Sequence, residues 1–307
     1  MNDSFDPAIY EATRKRNMFV VAGFLFVLLL ISAYFFTYYV LLIALVSYAS
    51  AFVVEYVFVR VRKLKLDYGL LVSPLIFTML MPPSAPLWMV AVGSGFGMFF
   101  GKCIFGGLGR NIFNPALVGA LFVTISFPEL MTTQWLMPLT DQLAGATPIV
   151  SLQSGDFAYT LNDLLFGRGP GALGETFRIG VIVFGLMLVL FRIADWRIPL
   201  SYLGSVFLIA LVGNLIDSTT FQDPVLTLFV GGLMFAAFFV ATDPVTAPIS
   251  SKGKVIYGIG LGIFTIIIRN FAAFPEGITF SVIIMNALVP LIDPQEQPIR
   301  PKEEVPA

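Results

Sequence analysis

The chain has 307 residues, of which 57% are hydrophobic and only 12% charged, with a formal net charge of −1. A soluble chain carries roughly 25% charged residues, so most of this one is expected to face lipid, and its charge offers no global basic field for nucleic acid. The absence of His excludes His-ligated haem, zinc or copper and His-based acid–base catalysis, and the single Cys103 excludes an internal disulfide and cannot by itself hold an iron–sulfur cluster.

The N-terminus is polar through Asn17, and the apolar run that follows is too long for the core of a signal peptide. It reads as a retained transmembrane helix. A spanning helix needs about 20 apolar residues, fewer where it is broken or enclosed by protein. Ten segments qualify: Met18–Phe36, Tyr38–Val59, Leu70–Met81, Leu87–Phe100, Phe113–Phe127, Phe177–Ile193, Pro199–Ile216, Pro224–Val240, Val255–Ile268 and Ile278–Ile292. The predicted class is an all-α polytopic membrane protein. Residues 1–127 hold a polar N-terminus and five spans, 128–176 a long loop, 177–293 five more spans, and 294–307 a polar tail.

Lys and Arg test this count, because they concentrate on the cytoplasmic side. With the N-terminus inside, fifteen of the eighteen fall in inside segments, and only Arg168, Arg178 and Arg269 fall outside. One missed or invented helix would scramble that split. Both termini are therefore expected in the cytoplasm. Residues 128–176, with Glu129, Asp141, Asp156, Asp163 and Glu175, are expected outside it.

Five spans per half is an odd number, so the halves face opposite ways and would be inverted repeats, a common transporter plan. Phe113–Leu121 (FNPALVGAL) and Phe280–Leu288 (FSVIIMNAL) share Phe, Ala and Leu in register. The third span stops at Met81-Pro82-Pro83, and its counterpart, the eighth, starts after Asp223-Pro224 and ends at Thr242-Asp243-Pro244. Short, interrupted spans at matching places in two halves point to a binding site.

Three stretches could carry chemistry. In Gly101–Pro115 (GKCIFGGLGRNIFNP), Asn111 and Asn114 sit three apart where a helix begins, and their amides suit the edge of a flavin-like ring. The alternative is a tight glycine turn with Asn114 as cap and Pro115 in the first helical turn. In Val240–Lys254, Thr242, Asp243 and Thr246 end a very apolar span, and an ionisable group at membrane depth is a functional candidate. The alternative is a water-exposed Asp-Pro turn. In Asp141–Pro148 (DQLAGATP), Thr147 reads on local grounds as a helix cap before Pro148. Cys103 reads as a small buried hydrophobe. Glu55 is expected to reach the cytoplasmic interface beside Arg60 and Lys63.

At these stretches, and at Phe274–Asp293 (FPEGITFSVIIMNALVPLID), the chain resembles the D subunit of the Rnf electron-transport complex and its relative, the B subunit of the sodium-translocating NADH:quinone reductase. The resemblance covers nearly the whole chain, and the short loops favour the Rnf branch. It implies ten spans in two inverted five-helix repeats and FMN joined through its phosphate to a threonine by a flavin transferase. Asp141, Gly145, Ala146 and Thr147 match the acceptor pattern, making Thr147 the attachment residue, while Ala144 replaces its usual hydroxyl residue. It also implies a second, noncovalent flavin, expected to be riboflavin, with Asn111, Asn114, Thr242 and Asp243 as walls of its site.

The expected role is a subunit of a bacterial inner-membrane complex that couples electron transfer to Na+ or H+ movement. It would not be catalytically complete alone, since it has no soluble nucleotide-binding domain, Walker motif or Cys cluster. The competing readings are a small-solute channel or secondary transporter, which the same architecture hosts, and a structural scaffold.

Overall fold

The computed structural model describes residues 7–64, 66–140, 142–144, 146–272, 274 and 276–293, with side chains from residue 12 onward. Among these the secondary structure is helical apart from one isolated bridge between Leu136 and Leu143. The first half holds α1 (Pro7–Phe36), α2 (Tyr39–Arg62), α3 (Gly69–Met79), α4 (Leu87–Gly101) and α5 (Pro115–Ser126). Three short helices follow: α6 (Pro128–Thr133), α7 (Pro148–Ser154) and α8 (Leu161–Leu165). The second half holds α9 (Arg178–Leu190), α10 (Arg197–Ile216), α11 (Pro224–Phe229), α12 (Leu233–Phe235), α13 (Ser251–Phe271) and α14 (Ile278–Ile292).

Five helices are long and apolar enough to cross a bilayer: Ala12–Phe36, Tyr39–Arg62, Leu87–Phe105, Arg197–Ile216 and Ser251–Phe271. Helices α3, α5, α9 and α14 are apolar but shorter. The protein is thus a multi-pass membrane protein. Each of the ten apolar segments contains helix, and the eighth is broken. After α11 the chain unwinds at Val230–Gly232, resumes as α12, and continues as a π-turn over Ala236–Val240. Gly231 sits at φ +67, a left-handed conformation that glycine adopts without strain.

Neighbours follow the same order in both halves. Helix α2 packs on α3 and α4, and α4 on α5; α10 packs on α11 and α13, and α13 on α14. Helices α4 and α5 approach backbone to backbone, since a Cβ on Gly101 would come within 2.6 Å of Pro115 Cα. Close crossing at small residues is a usual source of helix association in lipid. One apolar core runs through both halves and includes Leu25, Ile43, Phe77, Tyr202, Phe235 and Tyr257.

Short α3 leaves carbonyls that helix bonding cannot satisfy. The chain before α9 turns inward to meet them: Leu173 N–H donates to Met81 O at 3.2 Å and Gly174 N–H to Met79 O at 2.7 Å. Ser32 on α1 fixes the same segment by donating to Leu173 O at 2.9 Å. The long loop therefore reaches into the body of the protein.

Glu55 departs from expectation. It is 1% exposed and ion-paired to Lys102 at 2.9 Å, and Lys102 also meets Asp67 at 2.6 Å. The helix turns Glu55 toward α4 and away from Arg60, because a charge inside the bundle requires a partner there. Cys103 is buried with Ala51 and Met98, as its reading as a small hydrophobe predicts.

Candidate functional site

The glycine-rich stretch after α4 is held by charge. Lys102 anchors its start to Glu55 and Asp67, and Asp67 Oδ2 accepts from Leu108 N–H at 3.3 Å. Gly106, Gly107 and Gly109 adopt positive φ, so the chain reverses tightly before α5. Asn111 is consumed within that turn. Its Oδ1 accepts from Gly109 N–H at 3.2 Å, and its Nδ2 donates to Phe113 O at 3.0 Å.

Asn114 does two things at once. Its Oδ1 caps α5 by accepting from Ala116 N–H at 3.0 Å. Its Nδ2 donates to Asp243 Oδ2 at 3.1 Å, across 129 positions of chain. The start of α5 and the end of the eighth segment are thereby brought together. Asp243 Oδ1 accepts from Val245 N–H at 3.0 Å, which forms the Asp-Pro turn. Thr242 Oγ1 donates to Phe238 O at 2.6 Å and closes the π-turn. Of the four predicted wall residues, the structure joins Asn114 to Asp243 and spends Asn111 and Thr242 on local backbone.

Three residues that the sequence did not single out complete this polar junction. Arg14 of α1 and Tyr257 of α13 lie within electrostatic reach of Asp243. Tyr257 donates its hydroxyl hydrogen to Asn286 Oδ1 on α14 at 2.7 Å. Among the described residues, Arg14 Nη2 and Asn286 Nδ2 are buried donors without a hydrogen-bond partner. Buried donors are rarely left unpaired, and these two, one within electrostatic reach of Asp243 and the other bonded through Tyr257, suit the acceptor atoms of a polar planar ligand. Asn286 had one faint signal, its place in the segment that matches FNPALVGAL. Arg14 counted only as a cytoplasmic charge.

The Asp141–Pro148 stretch lies apart from this junction. Asp141 and Gly145 fall outside the described residues. A hairpin-like turn carries the chain into the segment, with Met137 N–H donating to Gln142 O at 2.8 Å and Ala144 N–H to Trp135 O at 2.9 Å. Ala146 is half-buried. Thr147 stands at the N-cap of α7 with Pro148 at the first helical position, but its side chain makes no capping hydrogen bond. The cap position predicted from sequence is there, and the cap bond is not. Ile149, behind Thr147, packs with Leu164 and Val230 and so docks α7 against α8 and the break after α11.

These features describe a multi-pass membrane protein whose two halves meet at buried polar groups beside interrupted helices. The chain belongs to the NQR2, RnfD, RnfE family, whose model matches residues 6–301. It is 36% identical over 256 residues to the D subunit of the ion-translocating oxidoreductase complex of Alcanivorax borkumensis, covering 76% of this chain and 75% of that one. It is 35% identical to the D subunit of the Na(+)-translocating ferredoxin:NAD(+) oxidoreductase complex of Acetobacterium woodii, covering 86% and 83%. It is 37% identical to the B subunit of the Na(+)-translocating NADH-quinone reductase of Ectopseudomonas mendocina, where the match covers 80% of this chain and 65% of the longer relative.

Proposed function

We propose that the chain is a membrane subunit of an ion-translocating electron-transport complex, holding an FMN esterified to Thr147 and a second, noncovalent flavin, expected to be riboflavin, at the Asn114–Asp243 junction. The observation that carries this reading is membership of a family whose relatives are named as subunits of such complexes. Bound flavins would supply one- and two-electron chemistry that a chain without His and with one Cys lacks.

The residues fit both groups. The Thr147 hydroxyl carries no cap bond that would compete with its use as a nucleophile toward a flavin transferase's substrate. Thr147 is only 5% exposed, so the transferase would have to reach it before α7 docks or by displacing α7, and the small Ala144 and Ala146 beside it put little bulk in the way. At the junction, the orphaned donors on Arg14 and Asn286 would meet acceptor atoms of a ring, and Asn114 would keep the Asp243 carboxylate oriented. The Asn111 amide has to leave its own turn before it can contribute.

The matching order of neighbours in the two halves supports ten spans in two inverted repeats. The charge asymmetry supports cytoplasmic termini and an extracytoplasmic Thr147 loop, and the bacterial relatives support an inner-membrane location. Other subunits would deliver and remove electrons, and the ion moved is Na+ or H+.

The deciding experiment is intact-mass spectrometry with peptide mapping of the chain produced alongside a flavin transferase. FMN mass on the peptide containing Thr147 is the expected result. An unmodified, colourless protein from a transferase-competent host would favour a small-solute channel or transporter.

A further inference from the structure

At the far side of the bundle from Lys102, four charged side chains gather around the break in the eighth segment. Glu175 precedes α9, Arg178 begins it, Arg269 ends α13, and Glu276 precedes α14. Glu175, Arg178 and Arg269 are 3%, 1% and 5% exposed, while Glu276 is half-buried. Both carboxylates point at one place: Glu276 Oε2 and Glu175 Oε2 lie 3.9 and 4.0 Å from where a Cβ on Gly232 would stand.

The hydrogen bonding here is incomplete in a specific way. Glu175 Oε1 accepts from Ala172 N–H at 2.7 Å, but Glu175 Oε2 is buried with no partner among the described residues. Arg178 Nη1 donates to Leu164 O at 3.0 Å, while its Nε and Nη2 are likewise buried and unpartnered. Glu276 Oε2 accepts from Gly232 N–H at 3.2 Å. None of the four forms an ion pair within 4 Å among the described residues.

A broken helix often coordinates a metal cation through the carbonyls it frees. Here Arg269 has taken them, since its Nη1 donates to Thr227 O at 2.9 Å and its Nη2 to Val230 O at 3.2 Å. Its Nε also donates to Glu276 O at 3.1 Å. Two guanidinium groups, with the carbonyls of Thr227 and Val230 already engaged, oppose Na+ and leave the bare Glu175 oxygen to a proton. We infer that Glu175 Oε2, facing Glu276 across Gly232, is a proton-binding site that takes up and releases a proton in exchange with water.

The physics supports this assignment. Two carboxylates sharing a buried site cannot both ionise cheaply. Burial first, and then the charge of Glu276, push the Glu175 carboxyl up to about 8, against the opposing effect of Arg178 and Arg269. On protonation an O–H bond forms at Oε2, the proton arriving from water. The carboxyl then carries a donor at Oε2 in place of a second negative charge beside Glu276. Deprotonation returns the proton to water, and no electron is exchanged. From α10, Tyr202 faces the cluster, with its hydroxyl bonded to Thr265 Oγ1 at 2.7 Å. The site also holds the loop, for Gln153 of α7 donates to Arg269 O at 2.8 Å.

The test is infrared titration of the full-length chain in lipid nanodiscs, with wild type, Glu175→Gln, Glu276→Gln and Arg178→Gln compared. At about pH 6 the wild type should show a protonated-carboxyl C=O band that Glu175→Gln lacks. That band should titrate away with a midpoint near 8. Removing the neighbouring negative charge in Glu276→Gln should lower the midpoint by about one unit, tenfold in proton affinity, and Arg178→Gln should raise it. Identical bands in wild type and Glu175→Gln would overturn the site. So would a midpoint that neither neighbour moves, a readout that stands even if Glu175→Gln does not fold. The same titration in a Thr147→Ala background separates this site from the flavin reading, because a proton on Glu175 needs no flavin.

Discussion

Thr147 occupies a cap position without using its oxygen to cap. Removing a working cap costs about 1 kcal/mol, so Thr147→Ala should fold with less loss than that. If the hydroxyl is the flavin acceptor, the same change abolishes covalent flavin outright, and Thr147→Ser retains part of it. In-gel flavin fluorescence and intact mass, with the transferase co-expressed, read the result. FMN mass on Thr147→Ala would move the assignment to another hydroxyl, such as Ser151 or Thr140. Gly231 and Gly232 make a second contrast. A Cβ on Gly231 would stand 2.7 Å from Glu276 Oε1 at φ +67, whereas on Gly232 it would meet nothing closer than 3.9 Å. Gly231→Ala should therefore cost more than about 1 kcal/mol and displace Glu276, while Gly232→Ala is tolerated. Thermal melts of the two variants in one detergent check the order.

Between elements, Lys102 joins α2, the turn before α3 and the end of α4 through Glu55 and Asp67. Lys102→Met leaves Glu55 buried without a partner, and breaking such a pair typically costs about 3–5 kcal/mol. The double change Lys102→Met with Glu55→Gln should recover much of that loss, which a melt of all four proteins would reveal as non-additivity. At the other junction, Asn114→Leu removes both the α5 cap and the bond to Asp243, while Asp243→Leu removes that bond and the turn contact to Val245 N–H but leaves the α5 cap. Both should lose extractable flavin, and only Asn114→Leu should also lose cap stability. Full flavin content in both folded variants would refute the second flavin site.

Across the whole molecule, the Glu175 carboxyl links stability to pH. Because its folded value lies above the ordinary 4.5, it favours the folded state below that pH. That contribution is lost as pH rises through about 8. Wild type should therefore lose melting temperature relative to Glu175→Gln across this window, and parallel curves would contradict the raised value. Orientation is a property of the whole chain as well. Ser154 is exposed at the end of α7, so Ser154→Cys in a Cys103→Ala background should react with an impermeant thiol reagent from the extracytoplasmic side of intact cells. Labelling only after the membrane is opened would invert the topology.

Composition and hydropathy alone place this chain in lipid, and each of its ten apolar segments contains helix, because span length and hydropathy are local quantities that lipid enforces. Local patterns also gave Asn114 as the cap of α5, Asp243 as part of an Asp-Pro turn and Thr147 as the cap position of α7. Which residues meet is a matter of packing. Asn114 finds Asp243 129 positions away, Glu55 turns inward to Lys102, and the loop before α9 dips in to satisfy Met79 and Met81. Glu175 reads in the sequence as one of five acidic residues in a polar loop. What makes it a buried carboxyl facing Glu276 is packing between segments about a hundred residues apart. The reason is physical: a buried charge or freed carbonyl must find its partner somewhere in the fold, and linear spacing carries no record of where.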